Sequence, residues 1–361
     1  MNPSDSTRSG RSSHRFLTFG EIMLRLTPPN YEKIRMTSSF DATYGGSEAN
    51  IALALANLGI DSTFFSVVPD NSLGKSAIRM LRSNDVHCSP VILSTPEETP
   101  THRLGTYYLE TGYGIRPSEV TYDRKHSAIT EYDLSRVDLD ALLEGFDWIH
   151  LSGITPALSE SCADFMLECL RKAKEKGLTV SFDGNFRSTL WSWDEARDYC
   201  TRCLPYVDVL LGIEPYHLWK DENDHAAGDW KDGIPLQPSY EQQDEVFQHF
   251  VERYPNISCI ARHVRYVHSG SENSLLAYMW YQGHTFESKK FTFNILDRVG
   301  GGDAFASGLI YAMMNNYKPM DMINFAVASS VIKHTIRGDG NITDNAETIK
   351  QIMNMNYDIK R

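Results

Sequence analysis

The chain has 361 residues, 41% of them hydrophobic and 23% charged, which is an ordinary composition for a globular protein of one large domain or two smaller ones. Its 35 basic and 47 acidic residues give a net charge of −12, which argues against a protein that binds nucleic-acid backbones. Residues 1–14 lack the apolar core of a secretory signal, and no apolar run approaches the ~18 residues of a transmembrane helix. We therefore expect a cytoplasmic protein with a disordered tail over residues 1–14 and no nucleic-acid or membrane partner.

Short apolar strands alternate with helical segments along the chain. The predicted strands are residues 16–19, 148–151, 178–182, 207–211 and 257–261. The predicted helices are residues 51–59, 159–176, 240–253, 303–315 and 320–336. This alternation favours an α/β fold with a mostly parallel central sheet covered by helices on both faces.

Four segments interrupt this alternation. Residues 22–45 and 95–130 are rich in Thr, Tyr, Pro and Gly and have no helical period, which predicts short antiparallel strands that stand beside the main domain as a lid. Residues 273–293 predict two strands joined by a turn at Gln282-Gly283. Residues 221–239 are polar and contain Gly and Pro, so we interpret them as a surface insertion.

Three short patterns resemble functional motifs but lack their remaining parts. The C-x-x-C pair at residues 200–203 has no second pair or nearby histidine to complete a zinc site, and we interpret it as neighbouring residues of one helix. Residues 73–76 read LGKS, like the end of a phosphate loop, but Pro69 stands where the first glycine is needed. His263 and His268 flank no pair of acidic residues, so we expect no metal site there.

The most informative stretch is residues 297–303, which read DRVGGGD and lead directly into a predicted helix. The glycines Gly300, Gly301 and Gly302 let backbone N–H groups approach an anion at the positive end of the helix dipole. Asp303 lies beside them, where a carboxylate can accept the proton of a hydroxyl that attacks phosphorus. The alternative interpretation is a flexible loop followed by an aspartate that only caps the helix.

A second glycine motif lies near the start of the chain. Residues 44–50 read YGGSEAN and precede a helical segment that is apolar nearly all round, so we expect this helix to be buried and its N-terminus to be rigidly held. Gly45 and Gly46 permit a close approach to an uncharged polyol. Asn50 offers both a hydrogen-bond donor and an acceptor.

Together, GGxxxN near the start and GxGD near the end resemble the paired signatures of the ribokinase-like (PfkB) carbohydrate kinases, in the same order over about residues 16–345. The usual late motif reads DTxGAGD, and Arg298, Val299 and Gly301 occupy its variable places. The resemblance implies one kinase domain over residues 15–361, a three-layer α/β/α fold with the small β-sheet lid. It also implies ATP and Mg²⁺ as cofactors and a homo-oligomer, a dimer or higher, formed through the lid.

Within this family the chain is most similar to 2-keto-3-deoxygluconate kinases. The similarity rests on FGE at residues 19–21, YDR at 122–124 followed by SA at 127–128, SGITPALS at 152–159, and DGNFRSTLW at 183–191. Unlike a neutral sugar, a sugar acid carries a carboxylate, and guanidinium groups recognise carboxylates well. Arg124 and Arg187 are the candidates for this contact.

The resemblance assigns roles to individual residues. The predicted substrate-binding residues are Glu21, Gly45, Gly46, Asn50, Tyr108, Tyr122, Arg124, Arg187 and Asp303. Tyr107 is the alternative to Tyr108. The catalytic group is Asp303, assisted by the amides of Gly300, Gly301 and Gly302. For each tyrosine and arginine, the alternative role is surface packing or a salt bridge.

Two nucleotide-side segments depart from the family pattern. Residues 213–216 read IEPY where an N-x-x-E motif is usual, so Glu214 alone is expected to act on Mg²⁺, through water. Residues 261–269 read ARHVRYVHS in place of K-x-G-x-x-G, which leaves Arg265 for the phosphates and Ser269 or Asn273 nearer the nucleoside. The predicted ATP-binding residues are Asn185, Arg187, Glu214, Arg265, Ser269, Gly300 and Gly302.

Three functions are consistent with these patterns. The first is an ATP-dependent kinase that phosphorylates the terminal C6 hydroxyl of 2-keto-3-deoxygluconate, which the Arg124 and Arg187 pair favours. The second is a kinase of the same fold for a neutral sugar, such as fructose or ribose, or for a nucleoside. The third is a non-catalytic sugar-binding protein, which the missing asparagine at Ile213 favours and the intact Asp303 opposes.

Overall fold

The computed structural model describes residues 14–216, 230–231, 234–235 and 237–357, so residues 1–13 of the predicted tail and most of the predicted insertion lie outside it. The strands are β1 Arg15–Phe19, β2 Met23–Thr27, β3 Asp41–Gly45, β4 Asp61–Phe65, β5 Val67–Pro69, β6 Ile92–Ser94, β7 Thr106–Glu110, β8 Glu119–Asp123, β9 Trp148–Ser152, β10 Thr179–Asp183, β11 Val209–Leu211, β12 Trp230–Lys231, β13 Ile234–Pro235, β14 Cys259–Val267, β15 Glu272–Tyr281, β16 His284–Glu287 and β17 Phe291–Asn294. The helices are α1 Ser47–Asn57, α2 Ser72–Arg82, α3 Ala128–Glu131, α4 Leu139–Leu142, α5 Glu160–Glu175, α6 Trp193–Cys203, α7 Tyr240–Arg253, α8 Gly301–Met314, α9 Pro319–Lys333 and α10 Ala346–Met353.

The main sheet has nine strands, in the order β16-β15-β14-β11-β10-β9-β1-β4, with β17 also paired to β15. The strands from β14 to β4 in this order are parallel, and β15, β16 and β17 add antiparallel pairs at one end. Parallel strands end at the same edge of a sheet, so the loops after β1, β9, β10 and β11 meet there.

Helices cover both faces of this sheet, as predicted. Neighbouring strand residues point to opposite faces, so Phe16 packs with α1, α8 and α9 while Leu17 packs with α5, α6 and α7. Such two-sided burial is typical of parallel sheets, whose strands are apolar throughout. No helix in the described part of the chain is both long and apolar enough to cross a membrane.

A separate four-stranded sheet, in the order β3-β2-β7-β8, stands at the edge where the site lies. All four strands fall within residues 22–45 and 95–130, the two segments without helical period. Strand β8 is at one end of this sheet and its residues are exposed. We call these four strands the small sheet.

Two helix boundaries differ from the predicted ones in a way that matters for the site. Helix α1 begins at Ser47, four residues before the predicted start, so Asn50 lies inside its first turn and donates its N–H to the carbonyl of Gly46. Helix α9 ends at Lys333 because the N–H groups of Thr335 and Ile336 bond three residues back instead of four.

Candidate active site

Asp303 lies where the N-termini of α1 and α8 meet. Helix α8 begins after Gly300, whose φ of 78° belongs to the left-handed region that favours glycine. The Asp303 carboxylate accepts hydrogen bonds from Ser47 Oγ and Asn50 Nδ2, each at 2.7 Å. Both glycine motifs of the sequence therefore meet at one carboxylate, although 253 residues separate Asn50 from Asp303.

Two cavities adjoin at Asp303. The larger, of about 720 Å³, is lined by the ends of β10, β11 and β14 and by Gly300, Gly301 and Gly302. The smaller, of about 90 Å³, lies between α1 and the small sheet. Residues shared by both linings are Val120, Tyr122, Arg187, Val299, Gly300 and Asp303. The carboxylate and the N-terminal amides of α8 thus lie between the two cavities.

The smaller cavity contains most of the predicted substrate residues, but not all. Its lining includes Glu21, Gly46, Asn50, Tyr122, Arg124 and Arg187. Tyr108 lies outside it, packed against Phe40, whereas Tyr107 lines it and donates a hydrogen bond to Asp339. Alternation along β7 explains this correction, because Tyr107 and the buried Leu109 share a face that Tyr108 does not.

Gly45 is a second correction. It lies outside both linings, and a Cβ on this residue would come within 2.2 Å of the Asp339 carboxylate. The lack of a side chain at Gly45 therefore makes room for the Asp339 side chain. Gly46 does line the smaller cavity, and a Cβ there would come within 1.9 Å of the Glu21 carbonyl oxygen.

Arg124 is already paired inside the protein. Its Nε donates to Glu21 Oε2 at 2.8 Å, its Nη2 contacts the same oxygen, and Ser127 Oγ donates to Glu21 Oε1 at 2.6 Å. Both predicted substrate residues, Glu21 and Arg124, are buried. Arg124 Nη1 makes no hydrogen bond within the described residues, so one edge of the guanidinium stays open toward the cavity it lines.

The larger cavity contains the predicted nucleotide residues except one. Asn185, Arg187, Glu214, Arg265, Gly300 and Gly302 line it. Ser269 does not, because β14 continues to Val267 and carries Ser269 into the turn before β15, where its hydroxyl accepts from the Ser271 N–H. Glu214 pairs with Arg262 at 3.2 Å and remains partly exposed.

Three arginines of the larger cavity have no acidic partner in the part of the chain that the structure describes. Arg187, Arg265 and Arg298 form no ion pair with any carboxylate among the described residues. Burial, followed by the charges of Arg298 and Arg187, lowers the pKa of Arg265. Uncompensated guanidinium groups beside a helix N-terminus form a site for a polyanion. Arg298 occupies a variable place in the motif, and for this reason sequence analysis did not select it.

Replacing Arg265 or Arg298 with alanine is expected to raise the KM for ATP by about 10-fold to 100-fold, because a charge-assisted hydrogen bond contributes about 1.5–3 kcal/mol. Steady-state kinetics with ATP as the varied substrate measures this. The exposed Arg79 on α2 gives a matched control, Arg79→Ala, which should leave KM unchanged. A change of less than about twofold in both variants would remove these arginines from the nucleotide site.

Carboxyl groups around the junction are held at raised pKa values. Burial raises the pKa of Asp303, against the opposing effect of the hydrogen bonds from Asn50 and Ser47. Burial, reinforced by the charge of Asp303, raises the pKa of Asp183 to about 7. Asp183 ends β10 and lines the larger cavity. The sequence did not single it out, although it opens the DGNFR stretch that carries Asn185 and Arg187.

Glu48 offers a test of these pKa values through stability. Burial raises its pKa from 4.5 to about 7, despite hydrogen bonds from Ser152 Oγ and Thr155 Oγ1. Between these two values the folded state binds more protons than the unfolded state, so Glu48 makes the protein less stable as pH rises. When the pH rises from ~5.5 to ~8, the free energy of unfolding should fall in both proteins. The fall in the parent protein is expected to exceed that in Glu48→Gln by on the order of 2 kcal/mol.

Guanidinium chloride unfolding at the two pH values measures this difference. Glu144→Gln, at an exposed carboxylate, is the control and should follow the parent protein. Equal losses in Glu48→Gln and the parent protein would mean that Glu48 is ionised at ordinary pH.

A buried ion network joins the small sheet to the glycine motif. Arg25 of β2 donates to Asp297 Oδ2 at 2.5 Å and to Asp339 Oδ1 at 2.7 Å, and all three side chains are buried. Burial and the neighbouring Asp339 raise the pKa of Tyr107, so its hydroxyl stays protonated and donates to Asp339. A Cβ on Gly300 would come within 1.9 Å of the Asp339 carbonyl oxygen. The network therefore fixes the start of α8.

The other patterns have structural explanations. Cys200 and Cys203 are buried and unbonded to each other in α6. Lys75, of the phosphate-loop-like LGKS, forms an exposed ion pair with Asp70. His263 packs against Phe305, and the described residues contain no group of three or more His, Cys, Asp or Glu side chains arranged to hold a metal ion by themselves.

An amide-rich helix start, an adjoining carboxylate and an arginine-lined hollow beside a smaller polar cavity are features of an enzyme that transfers a phosphoryl group to a small molecule. The model of the pfkB family carbohydrate kinases matches residues 13–216. The chain is 31% identical over 323 residues to a 2-dehydro-3-deoxygalactonokinase of Haloferax volcanii, covering 90% of this chain and 92% of that protein. It belongs to the pfkB family of carbohydrate kinases, and its fold is the ribokinase-like three-layer fold predicted above.

Two further similarities point the same way. A 2-dehydro-3-deoxygluconokinase of Bacillus subtilis is 26% identical over 325 residues, which cover 90% of each chain. The crystal structure of a 2-dehydro-3-deoxygluconokinase from Thermotoga maritima superposes with a TM-score of 0.85 at 36% identity, covering 94% of this chain and 99% of that one. The predicted kinase class, a phosphotransferase with a sugar hydroxyl as acceptor, is confirmed by the family.

Proposed function

We propose that this kinase transfers the γ-phosphoryl group of ATP to the C6 hydroxyl of 2-keto-3-deoxygluconate, which is the same compound as 2-dehydro-3-deoxygluconate. The observation that carries the proposal is the position of Asp303 and Gly300 between an arginine-lined cavity and a smaller polar cavity. The names of relatives at 31% and 36% identity support a keto-deoxy sugar acid as the substrate.

In the proposed reaction the sugar acid occupies the smaller cavity and ATP the larger one. Asp303 accepts the proton of the C6 hydroxyl as its oxygen forms a bond to the γ-phosphorus and the bond to the β-phosphate oxygen breaks. The amides at the start of α8 and Arg187 stabilise the charge on the transferred group. Because both Asp303 oxygens accept hydrogen bonds from α1, the carboxylate is already oriented before the sugar binds.

The substrate carboxylate distinguishes this proposal from a neutral-sugar kinase. We assign its recognition to the open Nη1 edge of Arg124, whose other nitrogens Glu21 holds in place, with Tyr107 and Tyr122 completing the lid side. Arg187 lines both cavities and has no acidic partner in the described chain, so it can contact the sugar and the phosphates together.

The residues present fit a magnesium ion bound together with ATP. Mg²⁺ keeps several waters and needs only one or two carboxylates besides the nucleotide phosphates. Glu214 and Asp183 both line the larger cavity and would hold it, Glu214 through water. When bound, the ion offsets phosphate charge, and the arginines contribute the same effect from the protein.

The small sheet is the proposed lid and the proposed contact between subunits. Strand β8 is an exposed edge that carries Val120 and Tyr122, and an unpaired edge with apolar side chains can pair with another copy. Light scattering coupled to size exclusion should give a dimer or a higher oligomer, whereas a monomer would contradict this. A cytoplasmic location stays a prediction.

The test is an ADP-release assay with Mg²⁺ATP and a panel of 2-keto-3-deoxygluconate, 2-keto-3-deoxygalactonate, gluconate, fructose, ribose and adenosine. Turnover of 2-keto-3-deoxygluconate with little turnover of neutral sugars is expected. The galactonate epimer is a second candidate, favoured by the name of the relative in Haloferax volcanii. Preferred turnover of fructose, ribose or adenosine would refute the sugar-acid assignment and leave the kinase class unchanged.

The variant Arg124→Leu tests the proposed contact between Arg124 and the substrate carboxylate. It removes a guanidinium group from the smaller cavity and should lower kcat/KM for the sugar acid by about 100-fold, which corresponds to roughly 3 kcal/mol for a lost charged contact. Arg103→Leu is the matched control, because Arg103 pairs with the exposed Asp123 on the outside of the small sheet. Equal effects of the two variants would show that Arg124 does not contact the substrate.

A further inference from the structure

The last residue of α9, Lys333, has a fully buried side chain. Its Nζ donates hydrogen bonds to two main-chain carbonyl oxygens, those of Asp297 and Ile336, each at 3.2 Å. The Asp297 carboxylate lies 4.0 Å from the same nitrogen. Burying an ammonium group is costly unless oxygen atoms replace its water, and here protein oxygens surround it.

Burial lowers the pKa of Lys333, but the charges of Asp297 and Asp339 oppose this effect and favour the protonated ammonium group. The buried cluster around it contains two carboxylates, Asp297 and Asp339, and one guanidinium, Arg25. Without Lys333 this cluster has one excess negative charge in the protein interior. A protonated Lys333 brings its net charge to zero, which is the condition for a buried ionic cluster to be tolerated.

The oxygens bound by Lys333 belong to two loops that shape the start of α8. Asp297 opens the glycine motif, and its carboxylate accepts hydrogen bonds from the N–H groups of Val299 and Gly338. Ile336 begins the loop that carries Asp339, against whose backbone Gly300 is tightly packed. A single cation beneath both loops therefore determines where the Gly300 amide and the first turn of α8 stand.

We propose that Lys333 is a positioning residue that acts as a tethered monovalent cation, holding residues 297–300 and 336–339 together so that the phosphoryl-binding amides are aligned without a free cation. Main-chain carbonyl oxygens are the groups that coordinate potassium-sized ions in proteins, and an ammonium group has the same charge and a similar size. The catalytic part of this proposal rests on the proposed function. The structural part does not.

The experiment compares the parent protein with Lys333→Ala, which leaves a space, and Lys333→Met, which fills it without a charge. Activity with ATP and the sugar acid is measured in tetramethylammonium chloride and then with KCl or NH4Cl at constant ionic strength. The thermal unfolding midpoint is measured in the same salts. Lys350→Ala, which removes a surface lysine of α10 paired with Glu347, is the control for a lost lysine.

The parent protein and Lys350→Ala should change by less than about twofold between salts. Lys333→Ala should lose about tenfold or more in kcat in tetramethylammonium and recover at least about fivefold with K⁺ or NH4⁺. Lys333→Met should lose activity and not recover. The thermal unfolding midpoints should be lowered in Lys333→Ala and restored by K⁺ or NH4⁺, and lowered without recovery in Lys333→Met. These measurements require no sugar, so they remain informative if the proposed substrate is wrong.

Three results would overturn the proposal. The first is a severalfold dependence of the parent protein's activity on K⁺. The second is an activity of Lys333→Ala equal to that of the parent protein in tetramethylammonium. The third is a loss of activity and a lower unfolding midpoint in Lys333→Ala that neither K⁺ nor NH4⁺ reverses. A Lys333→Ala protein that folds only when K⁺ or NH4⁺ is present, as read by circular dichroism, supports the proposal. One that folds in none of the salts counts against it.

Discussion

Replacing Asp303 with asparagine is expected to lower kcat on the order of a thousandfold, which corresponds to about 4 kcal/mol of activation free energy. Asparagine has nearly the same shape, so the contact with Asn50 can be kept through its carbonyl and the contact with Ser47 through its amide. The fold should survive, and only the ability to accept the hydroxyl proton should be lost. Single-turnover kinetics with a folded protein measures this step directly.

The pH dependence gives an independent check. Because burial raises the pKa of Asp303, the parent enzyme should lose activity as pH falls through a value above the ordinary range of aspartate. Asp303→Asn should lack this acid limb. Asp194→Asn, at an exposed carboxylate of α6, should retain both the kcat of the parent enzyme and its loss of activity at low pH. Turnover of Asp303→Asn close to that of the parent protein would mean that another group accepts the proton.

Replacing Arg25 with methionine is expected to lower the free energy of unfolding by about 3–5 kcal/mol, which is the usual effect of removing one partner from a buried ion pair. Asp297 and Asp339 would then lose their shared guanidinium partner, and Lys333, 4.0 Å from Asp297, would remain. Unfolding in guanidinium chloride, followed by circular dichroism, measures the change. Activity should fall as well, because the same carboxylates hold the start of α8.

The matched control is Arg103→Met, which removes an arginine that precedes β7 and pairs with Asp123 of β8. Arg103 and Asp123 are both partly exposed, so their pair should contribute less than about 1 kcal/mol. If Arg25→Met and Arg103→Met destabilise the protein equally, the buried network does not hold the small sheet to the glycine motif. The prediction therefore depends on a difference between two arginines of similar chemistry.

The fold and the two glycine stretches that meet at Asp303 could be predicted from the sequence because these features are local. Alternating strands and helices, the DRVGGGD stretch and the GGSEAN stretch each occupy consecutive residues, and their periods and glycines have direct structural meanings. The same reasoning could have identified Ser47 as a site residue, since it lies between Gly46 and Asn50. Arg298 was not selected because it occupies a variable position of the motif, although it lines the larger cavity.

The parts that could not be predicted depend on distant partners. Arg25 lies in a short strand between two leucines, where alternation alone suggests an outward-facing polar residue. Its burial requires Asp297 and Asp339, which are 272 and 314 residues away. Asp339 lies between two glycines in a loop, with no periodic pattern to show that it faces Arg25 and Tyr107. The alternation of residues in β7 could have indicated Tyr107 instead of Tyr108, because Tyr107 shares a face with the apolar Leu109.

Arg187, Arg265 and Arg298, which have no acidic partner among the described residues, affect how a nucleotide would approach the protein. The molecule as a whole carries a charge of −12 and therefore repels an ATP anion at long range. At physiological salt that repulsion is screened beyond about 8 Å, which is smaller than the protein itself. The arginines that line the larger cavity oppose this net charge at short range. The cavity is therefore a local positive region on an acidic protein, and it can attract a polyphosphate that comes close to it.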